Sequence, residues 1–533
     1  MVTFRVRLPR GPHRRGATRC RLSADSRTNR MHRARSISAT PSLSTRPLDT
    51  RRLLPRLLLL AAPALFACSA SAGSAAPAGR VAGPAAASAA SRLSCSAPAS
   101  SAGSGSLANT PITDPVVTFD SAWTIIARTH WDSTYNGVNW RAVRDELRPR
   151  AAAAKTTGEL RAILGDMVSR LNQSHFSIIP REASDATAPA AGASAPRDMR
   201  GTLGMTLRYV DRSLMVTAID PDGGAAKAGV RTGWILDAVE GCALAPRLAR
   251  IPTNVDPRRA ALLAYSAGVG SIAGAVGDSA HLTFRDGNGR ARALTAVRLA
   301  ERGTPAKFGN LPPFPAHLEF KRVRQGDRTV GVIHFNIWMP VLAQQFDAAV
   351  DSLRDTDAIV LDIRGNFGGV GGMSMGFAGH FLDSARTIGT MHQRGQGPMK
   401  FVANPRRVDT RARSVKPFAG PVALVVDELS ISTSEIFAGG MQALGRARVF
   451  GVQTAGQALP SIPERLPNGD ILYHAIANFT SPTGKDIEGD GVLPDVATPV
   501  TRKALLSGKD PALDAAVAWA AAASKAPANK VRP

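Results

Sequence analysis

The segment from Ala423 to Gly440 has the residue types needed for nucleophilic acyl transfer. The apolar run Ala423–Val426 predicts a buried strand, and a helical pattern begins near Ser434. A serine at such a junction exposes its hydroxyl beside unpaired amides of the helix start, which can stabilise an oxyanion. Ser432 and Ser434 are both candidates, although serines at this place more often only cap the helix.

Two other segments could complete such a site. Residues 358–372 read as a buried strand followed by a glycine-rich loop, where backbone N–H groups can approach a ligand. Its glycine spacing is neither that of a P-loop nor that of a dinucleotide fingerprint, which disfavours phosphate binding. Ser174-His175 closes a helical region and offers a base, although a lone histidine is more often structural.

Together with Ile487–Asp495, these segments resemble the C-terminal-processing and tricorn-core serine peptidases over about residues 115–500. That family reads much like "LDIRGN.GG" in the glycine segment, "S.SEIFAG" in the serine segment and "EG.GV.PD" near the end. The resemblance implies a serine peptidase that needs no metal and no cofactor, acting on protein or peptide substrates.

The family has two catalytic designs, and one position separates them. The processing branch uses a Ser-Lys dyad whose lysine follows a "T.GK" turn, but here Gln457 occupies that position and has no titratable amine. The resemblance therefore favours the tricorn-like tetrad, with Ser432 as nucleophile and His175 as base. In this design Ser174 and Glu488 orient the catalytic groups by hydrogen bonding.

The resemblance also implies oxyanion donors, namely the amides of Gly368 and Thr433, with Gly369 an alternative to Gly368. Other residues remain open as rivals for the catalytic roles. They are Ser434 for the nucleophile, His474 for the base, and Asp486 or Asp490 in place of Glu488.

The predicted fold is multi-domain α/β, with a helical subdomain, a PDZ-like β-rich domain and an α/β catalytic core of the ClpP/crotonase-like type. The predicted boundaries are 1–50 for a basic extension, 51–72 for an export signal, 73–114 for a flexible linker, 115–182 for the helical subdomain, 198–298 for the PDZ-like domain, 318–505 for the core, and 506–533 for a C-terminal helix and tail. A PDZ fold binds peptide C-termini by strand addition, or serves only as a spacer.

The net charge of +25 is concentrated at one end of the chain. Residues 1–60 hold 15 Arg and no Lys against two acids, about half of the excess. The remainder is spread thinly, without a clustered basic helix, so nucleic acid is rejected as a partner.

An arginine-flanked apolar stretch ending at Cys68 predicts export, because it is too short to span a bilayer. Leu65-Phe66-Ala67-Cys68 resembles a bacterial lipobox, which would lipidate Cys68 and place the chain in the periplasm. Ala70-Ser71-Ala72 is the rival cleavage site and would give a secreted protein. Cys20, Cys68, Cys95 and Cys242 suggest neither a disulfide framework nor a zinc site.

The leading interpretation is therefore an exported serine peptidase. The alternative is a non-catalytic protein that binds peptides or small ligands in the same groove. Substrate sequence and oligomeric state are not encoded in these motifs.

Overall fold

A computed structural model of the protein describes residues 114–182, 201–311 and 313–524. The predicted export signal, the Cys68 lipidation site and the linkers at 73–113 and 183–197 lie outside these residues. Within the described ranges no helix is both long and apolar enough to cross a bilayer.

The first described unit is helical. It contains α1 (Pro115–Thr129), α2 (Trp140–Ala153) and α3 (Thr157–Ser169), followed by the short strand β1 (Ser177–Ile179). Side chains of Asp114, Asn139 and Thr156 accept amide hydrogen bonds at the three helix starts. The apolar faces meet in one core that also takes Leu466 and Leu472 from the far end of the chain.

Residues 201–300 form a second unit, an antiparallel sheet with one long helix. Its strands are β2 (Gly201–Thr202), β3 (Met205–Val210), β4 (Ser213–Ile219), β5 (Ile235–Val239), β6 (Cys242–Ala243), β7 (Ser279–Arg285), β8 (Ala291–Val297) and β9 (Leu299–Ala300). Its helices are α4 (Gly224–Lys227), α5 (Ala245–Leu248) and α6 (Pro257–Ile272). The strand order β3-β4-β5-β7-β8, with β6 on β5, leaves β3 at an edge.

Two details of this unit differ from the sequence-based expectation. The segment 242–278, for which no element was predicted, contains β6, α5 and α6. Cys242 is disulfide-bonded, whereas no disulfide was expected. The other three cysteines lie outside the described residues.

The third unit is built on a six-stranded sheet. Its strands in chain order are β10 (Thr304–Ala306), β11 (Phe314–Ala316), β12 (Leu318–Gln325), β13 (Arg328–Phe335), β14 (Ala358–Asp362), β15 (Arg386–Gln393), β16 (Met399–Ala403), β17 (Val422–Val426), β18 (Arg448–Gly451), β19 (Ser461–Arg465), β20 (Ile471–Ala475), β21 (Ala477–Thr480) and β22 (Val496–Ala497). Its helices are α7 (Ala343–Ser352), preceded by a 3₁₀ turn, α8 (Met373–Ala378), α9 (Thr433–Ala443), α10 (Arg502–Leu506) and α11 (Pro511–Ala523).

The main sheet has the order β12-β13-β14-β17-β18-β22 and is parallel from β13 onward. Strands β14 and β17 are buried along their whole length, as expected for parallel strands covered on both faces. One face packs on α7, α8 and α9, and the other packs on α11. Because β14 and β17 run in parallel, the loops after them emerge side by side at one edge of the sheet.

Residues 471–475 form a strand of the core that lies outside the main sheet. It is β20, and it pairs with β19 and with β1 of the helical unit. This pairing matters for the site, because β1 directly follows Ser174-His175. The helical unit is thereby fastened to the core next to the loops that follow β14 and β17.

Candidate active site

The turn between β17 and α9 holds Ser432 in a strained backbone conformation. Its φ of 58° and ψ of −116° are rare for a residue with a side chain, and such strain costs about 1–3 kcal/mol. The Ser432 amide donates to the Gln457 carbonyl at 2.9 Å and to Glu435 Oε2 at 3.1 Å. These bonds hold the serine half-buried at the start of α9.

Ser434 lies two residues further on and is built quite differently. It is fully buried, its hydroxyl donates to the Asn366 carbonyl at 2.9 Å, and it accepts from Trp338 Nε1 at 2.9 Å. A hydroxyl with these two bonds and no access to solvent has a structural role. Ser434 is therefore a poor rival for the nucleophile.

Two backbone amides beside Ser432 have no hydrogen-bond partner within the described chain, those of Thr433 and Gly369. The Thr433 hydroxyl donates to the Gly369 carbonyl at 2.9 Å, which ties the two residues together. The Gly368 amide, in contrast, donates to Asn366 Oδ1 at 3.0 Å. This corrects the sequence-based choice of Gly368 as a donor, because its N–H already has a partner.

Gly368 nevertheless has a steric role. A Cβ at this position would lie 2.6 Å from the Ser432 Cβ, and its φ of 92° favours glycine. The glycine therefore allows the loop after β14 to contact the Ser432 turn directly.

His175, Ser174 and Glu488 form a continuous line of hydrogen bonds. His175 Nδ1 lies 2.7 Å from Ser174 Oγ, and that hydroxyl donates to Glu488 Oε2 at 2.8 Å. The Ser174 amide also donates to Glu488 Oε1 at 2.9 Å, and the Ala458 amide donates to Oε2 at 2.9 Å. Two distant parts of the sequence, residues 174–175 and Glu488, are thus brought together.

Burial shifts both titratable groups of this line toward their neutral forms. Desolvation raises the pKa of Glu488, and the hydrogen bonds from Ser174 and the neighbouring amides oppose that rise. Desolvation also lowers the pKa of His175 to about 4. The imidazole is therefore neutral at pH 7.

The segment that carries His175 is held by contacts that the sequence motifs did not reveal. Asn172 and His175 both have positive φ, of 49° and 61°. Gln173 Oε1 accepts from Nε2 of the buried His130 ring at 2.9 Å, and Asn136 Nδ2 donates to the Leu171 carbonyl at 2.9 Å. The loop between α1 and α2 therefore fixes the path of the chain into Ser174-His175.

The remaining rivals are occupied elsewhere. His474 is fully buried and contacts Thr129 Oγ1 at 3.3 Å and Glu464 Oε1 at 3.3 Å. Asp486 accepts from Asn478, and the exposed Asp490 pairs with Lys485 at 3.1 Å. None of these contacts reaches the Glu488–Ser174–His175 line.

Ser432 and His175 are not hydrogen-bonded to each other in the residues that the structure describes. They are linked only indirectly, since Ser432 bonds to Gln457 while the next residue, Ala458, bonds to Glu488. Catalytic hydrogen bonds are often long in the free protein and tighten when substrate binds.

Glu435 is a residue of this site whose role the motif analysis did not assign. It is fully buried in the first turn of α9. Besides the Ser432 amide, its carboxylate accepts from Thr454 Oγ1 at 2.6 Å, from the Gly456 amide at 2.7 Å and from the Gln457 amide at 2.9 Å. It therefore connects the serine turn to the loop at 454–457.

The second unit contacts the site through two arginines. Arg208 of β3 pairs with Asp427 at 2.7 Å in a mostly buried ion pair. Arg258 of α6 donates to the carbonyls of Thr454, Gly489 and Asp490. These carbonyls lie in the two loops that carry the contacts of Glu435 and Glu488.

One groove of about 1940 Å³ extends from the Ser432 turn into the second unit. Near the serine it is lined by Thr433, Gly369, Phe401 and Ile436. Further along, it runs between the edge strand β3 and helix α6.

The chain is similar to several known proteins. Residues 329–498 match the model of peptidase family S41, and residues 113–169 match that of the tricorn protease C1 domain. Tricorn protease homolog 1 of Streptomyces coelicolor is 28% identical over 426 residues, which are 78% of this chain and 36% of that protein. Carboxyl-terminal-processing peptidase 2, chloroplastic, of Arabidopsis thaliana is 24% identical over 402 residues, 73% of this chain and 70% of that protein.

The chain thus spans about a third of the length of the tricorn homolog. Among solved structures, a photosystem II D1 C-terminal processing protease aligns with 74% of this chain and 95% of its own, with 19% identity and a TM-score of 0.48. The family matches confirm the resemblance found in the motifs: the chain contains a peptidase family S41 domain at residues 329–498 and a tricorn protease C1 domain at residues 113–169.

Proposed function

We propose that this protein is a serine peptidase whose nucleophile is Ser432. The observation that carries the proposal is the hydrogen-bonded line Glu488–Ser174–His175. The Ala458 amide donates to Glu488 of this line, and the preceding residue, Gln457, accepts from the amide of the strained Ser432. A merely structural serine at a helix start requires no such line. The family match of the surrounding domain supports the same conclusion.

The hydrogen bonds of Ser174 set the tautomer of His175. Because the Ser174 hydroxyl donates to Glu488, it accepts from His175 Nδ1–H, which leaves a lone pair on Nε2. Nε2 takes the Ser432 proton as Ser432 Oγ attacks the peptide carbonyl carbon. It then returns this proton to the leaving amine, and water hydrolyses the acyl-enzyme in a second, equivalent step.

Glu488 stabilises the charge that develops on His175 during attack. The imidazolium form is disfavoured by burial, and a carboxylate one hydroxyl away offsets that cost. Ser174 transmits this effect and orients the ring.

The amides of Thr433 and Gly369 are the proposed oxyanion donors. Both amides have no hydrogen-bond acceptor within the described residues and lie beside Ser432. The Gly368 amide, in contrast, already donates to Asn366. Preorganised backbone donors of this kind are worth about 10²–10³-fold in turnover each.

The substrate class follows from the groove. Among the described residues strand β3 pairs only with β4, so its other edge is open beside α6, and an extended peptide can add to such an edge by main-chain hydrogen bonds. We therefore propose that residues 201–300 act as the predicted PDZ-like domain and bind peptide or protein substrates, with recognition of their C-termini as the predicted mode.

Export and lipidation at Cys68 remain proposals that rest on sequence alone. A diacylated Cys68 would anchor the protein stably, since each buried CH₂ contributes about 0.8 kcal/mol. Cys68→Ser should then release the protein from the membrane fraction, whereas a mature N-terminus at Gly73 would favour simple secretion.

A fluorophosphonate probe with mass mapping tests the proposed activity. We expect one adduct, on Ser432, together with hydrolysis of unstructured protein substrates. A folded protein that takes up no probe and hydrolyses no peptide would support the alternative, a non-catalytic peptide-binding protein.

A further inference from the structure

The carboxylate of Glu435 is surrounded by hydrogen-bond donors. Its two oxygens accept from three backbone amides, those of Ser432, Gly456 and Gln457, and from the Thr454 hydroxyl. The Thr454 hydroxyl in turn accepts from the Val492 amide at 2.7 Å, so it is committed as a donor to Glu435. All four groups that bond to the carboxylate within the described residues are donors.

The position of Glu435 ties together two parts of the proposed machinery. Without a carboxylate, the Ser432 amide would lose one of its two acceptors, and the loop at 454–457 would lose three bonds at once. This loop supplies the Gln457 carbonyl, which is the other acceptor of the Ser432 amide. Glu435 therefore supports the strained backbone of Ser432 both directly and through Gln457.

We infer that Glu435 is a positioning residue for the proposed nucleophile, holding Ser432 in its attacking conformation by an ionised carboxylate that never touches the substrate. This inference rests on the proposed function. Glu435 is 0% exposed, so its effect must reach the substrate through Ser432.

The charge state of Glu435 should control this support. Burial raises its pKa to about 7, while the four donors pull the pKa back down. The charged group whose field reaches it from another element is Arg258, and it favours the anion. The carboxylate is ionised above its pKa, so the support is present at high pH and is lost as the pH falls.

The test compares labelling kinetics of wild type, Glu435→Gln and Asp409→Asn. The glutamine is isosteric, but its NH₂ faces amide donors, and leaving such groups unpaired costs enough to slow attack about ten- to hundredfold. We expect the maximal labelling rate of Ser432 to fall by that factor while the half-saturating probe concentration stays unchanged. The acid limb expected near pH 7 in wild type should disappear.

Asp409 is the matched control. It is a buried carboxylate that accepts from the amides of Arg411 and Arg413, and none of its contacts in the described chain reaches the serine turn. Asp409→Asn should lower the melting temperature without changing the labelling rate or its pH profile.

A second variant keeps the test valid if Glu435→Gln does not fold. Thr454→Val removes one donor and retains the carboxylate, so it should slow labelling several-fold and shift the acid limb to higher pH. Wild-type rates and an unshifted limb in a folded variant would overturn the inference. Absence of labelling in wild type would instead refute the proposed function itself, and the inference with it.

Discussion

The buried Glu435 and the half-buried Glu488 both accept hydrogen bonds from the loop at 454–458, but only Glu488 is connected to the proposed base. Glu435 accepts from the amides of Gly456 and Gln457, and Glu488 accepts from the next amide, that of Ala458. Burial raises the pKa of both. Glu435 is sealed behind the serine turn, whereas Glu488 reaches His175 through the Ser174 hydroxyl.

The difference lies in the partners rather than in the carboxylates. All partners of Glu435 are donors fixed by the backbone or by Val492, so this residue can only hold the structure in place. Glu488 has a hydroxyl partner that continues to a titratable ring, so it can respond electrostatically when that ring gains a proton. The two glutamates thus have different roles: Glu435 holds the backbone of the serine turn, and Glu488 stabilises positive charge on His175.

The roles proposed for both glutamates depend on Ser432 being the nucleophile. Ser432→Ala should abolish probe labelling and reduce peptide hydrolysis by several orders of magnitude, with little change in melting temperature. Ser434→Ala, which removes a fully bonded buried hydroxyl, should instead destabilise the fold by about 1–3 kcal/mol and leave Ser432 reactive. The reverse pattern would show that the nucleophile is Ser434.

The role of Glu488 depends on His175 being the base. His175→Ala should lower turnover by about 10²–10⁴-fold, whereas Gln457→Ala should retain most activity, since Gln457 contributes its backbone to the site. Hydrolysis and labelling rates of both variants check this. Equal losses in the two would mean that the side chain at 457 takes part in the reaction.

The pH profile distinguishes the two glutamate sites. A general base works when deprotonated, and the pKa of His175 is lowered to about 4, so its limb should appear as the pH falls through about 4. Loss of the Glu435 carboxylate should begin earlier, near its pKa of about 7. A limb near pH 7 that persists unchanged in Glu435→Gln would contradict its assignment to Glu435.

Removing the charge of Glu488 should have an intermediate effect. Glu488→Gln should reduce turnover about ten- to hundredfold, because the protonated His175 loses its counter-charge and the new NH₂ group meets either the Ser174 amide or the Ala458 amide. Asp490→Asn, at an exposed neighbour, is the control and should behave like wild type in a steady-state assay. If the two variants lose activity equally, the loop as a whole and not Glu488 is responsible.

Arg258 should have the smallest effect of these positions. Arg258→Ala removes a positive charge that favours the Glu435 anion and three bonds to the neighbouring loops. We expect a few-fold slower labelling and a small upward shift of the acid limb, measured at low salt. Arg259→Ala serves as the matched control on the same helix and should change neither.

Motif spacing was enough to find the line of residues around His175. Ser174-His175, Ser432 and Glu488 are far apart in sequence, yet their order matched the tricorn-like design, and the structure brings Ser174, His175 and Glu488 together. The strands that carry them were also recognisable, because continuous apolar runs such as 422–426 predict buried parallel strands.

The errors arose where a tertiary hydrogen bond decides the outcome. Gly368 and Gly369 are indistinguishable by residue type, and only the bond from Gly368 to Asn366 separates them. Glu435 stood within a recognised motif, but its importance depends on Thr454, Gly456 and Gln457, which are brought to it by folding. Helix α6 was missed because its alanine- and glycine-rich pattern gives a weak apolar periodicity.

The backbone angles of Ser432 determine which residue type is most stable at this position. A φ of 58° with a ψ of −116° matches the first central position of a type II′ turn, where glycine dominates. Ser432→Ala keeps the Cβ and therefore the strain, whereas Ser432→Gly should relieve it and yield an inactive protein that unfolds at higher temperature. Loss of the nucleophile to glycine is thus energetically downhill, and only selection for the reaction would keep a serine at this turn.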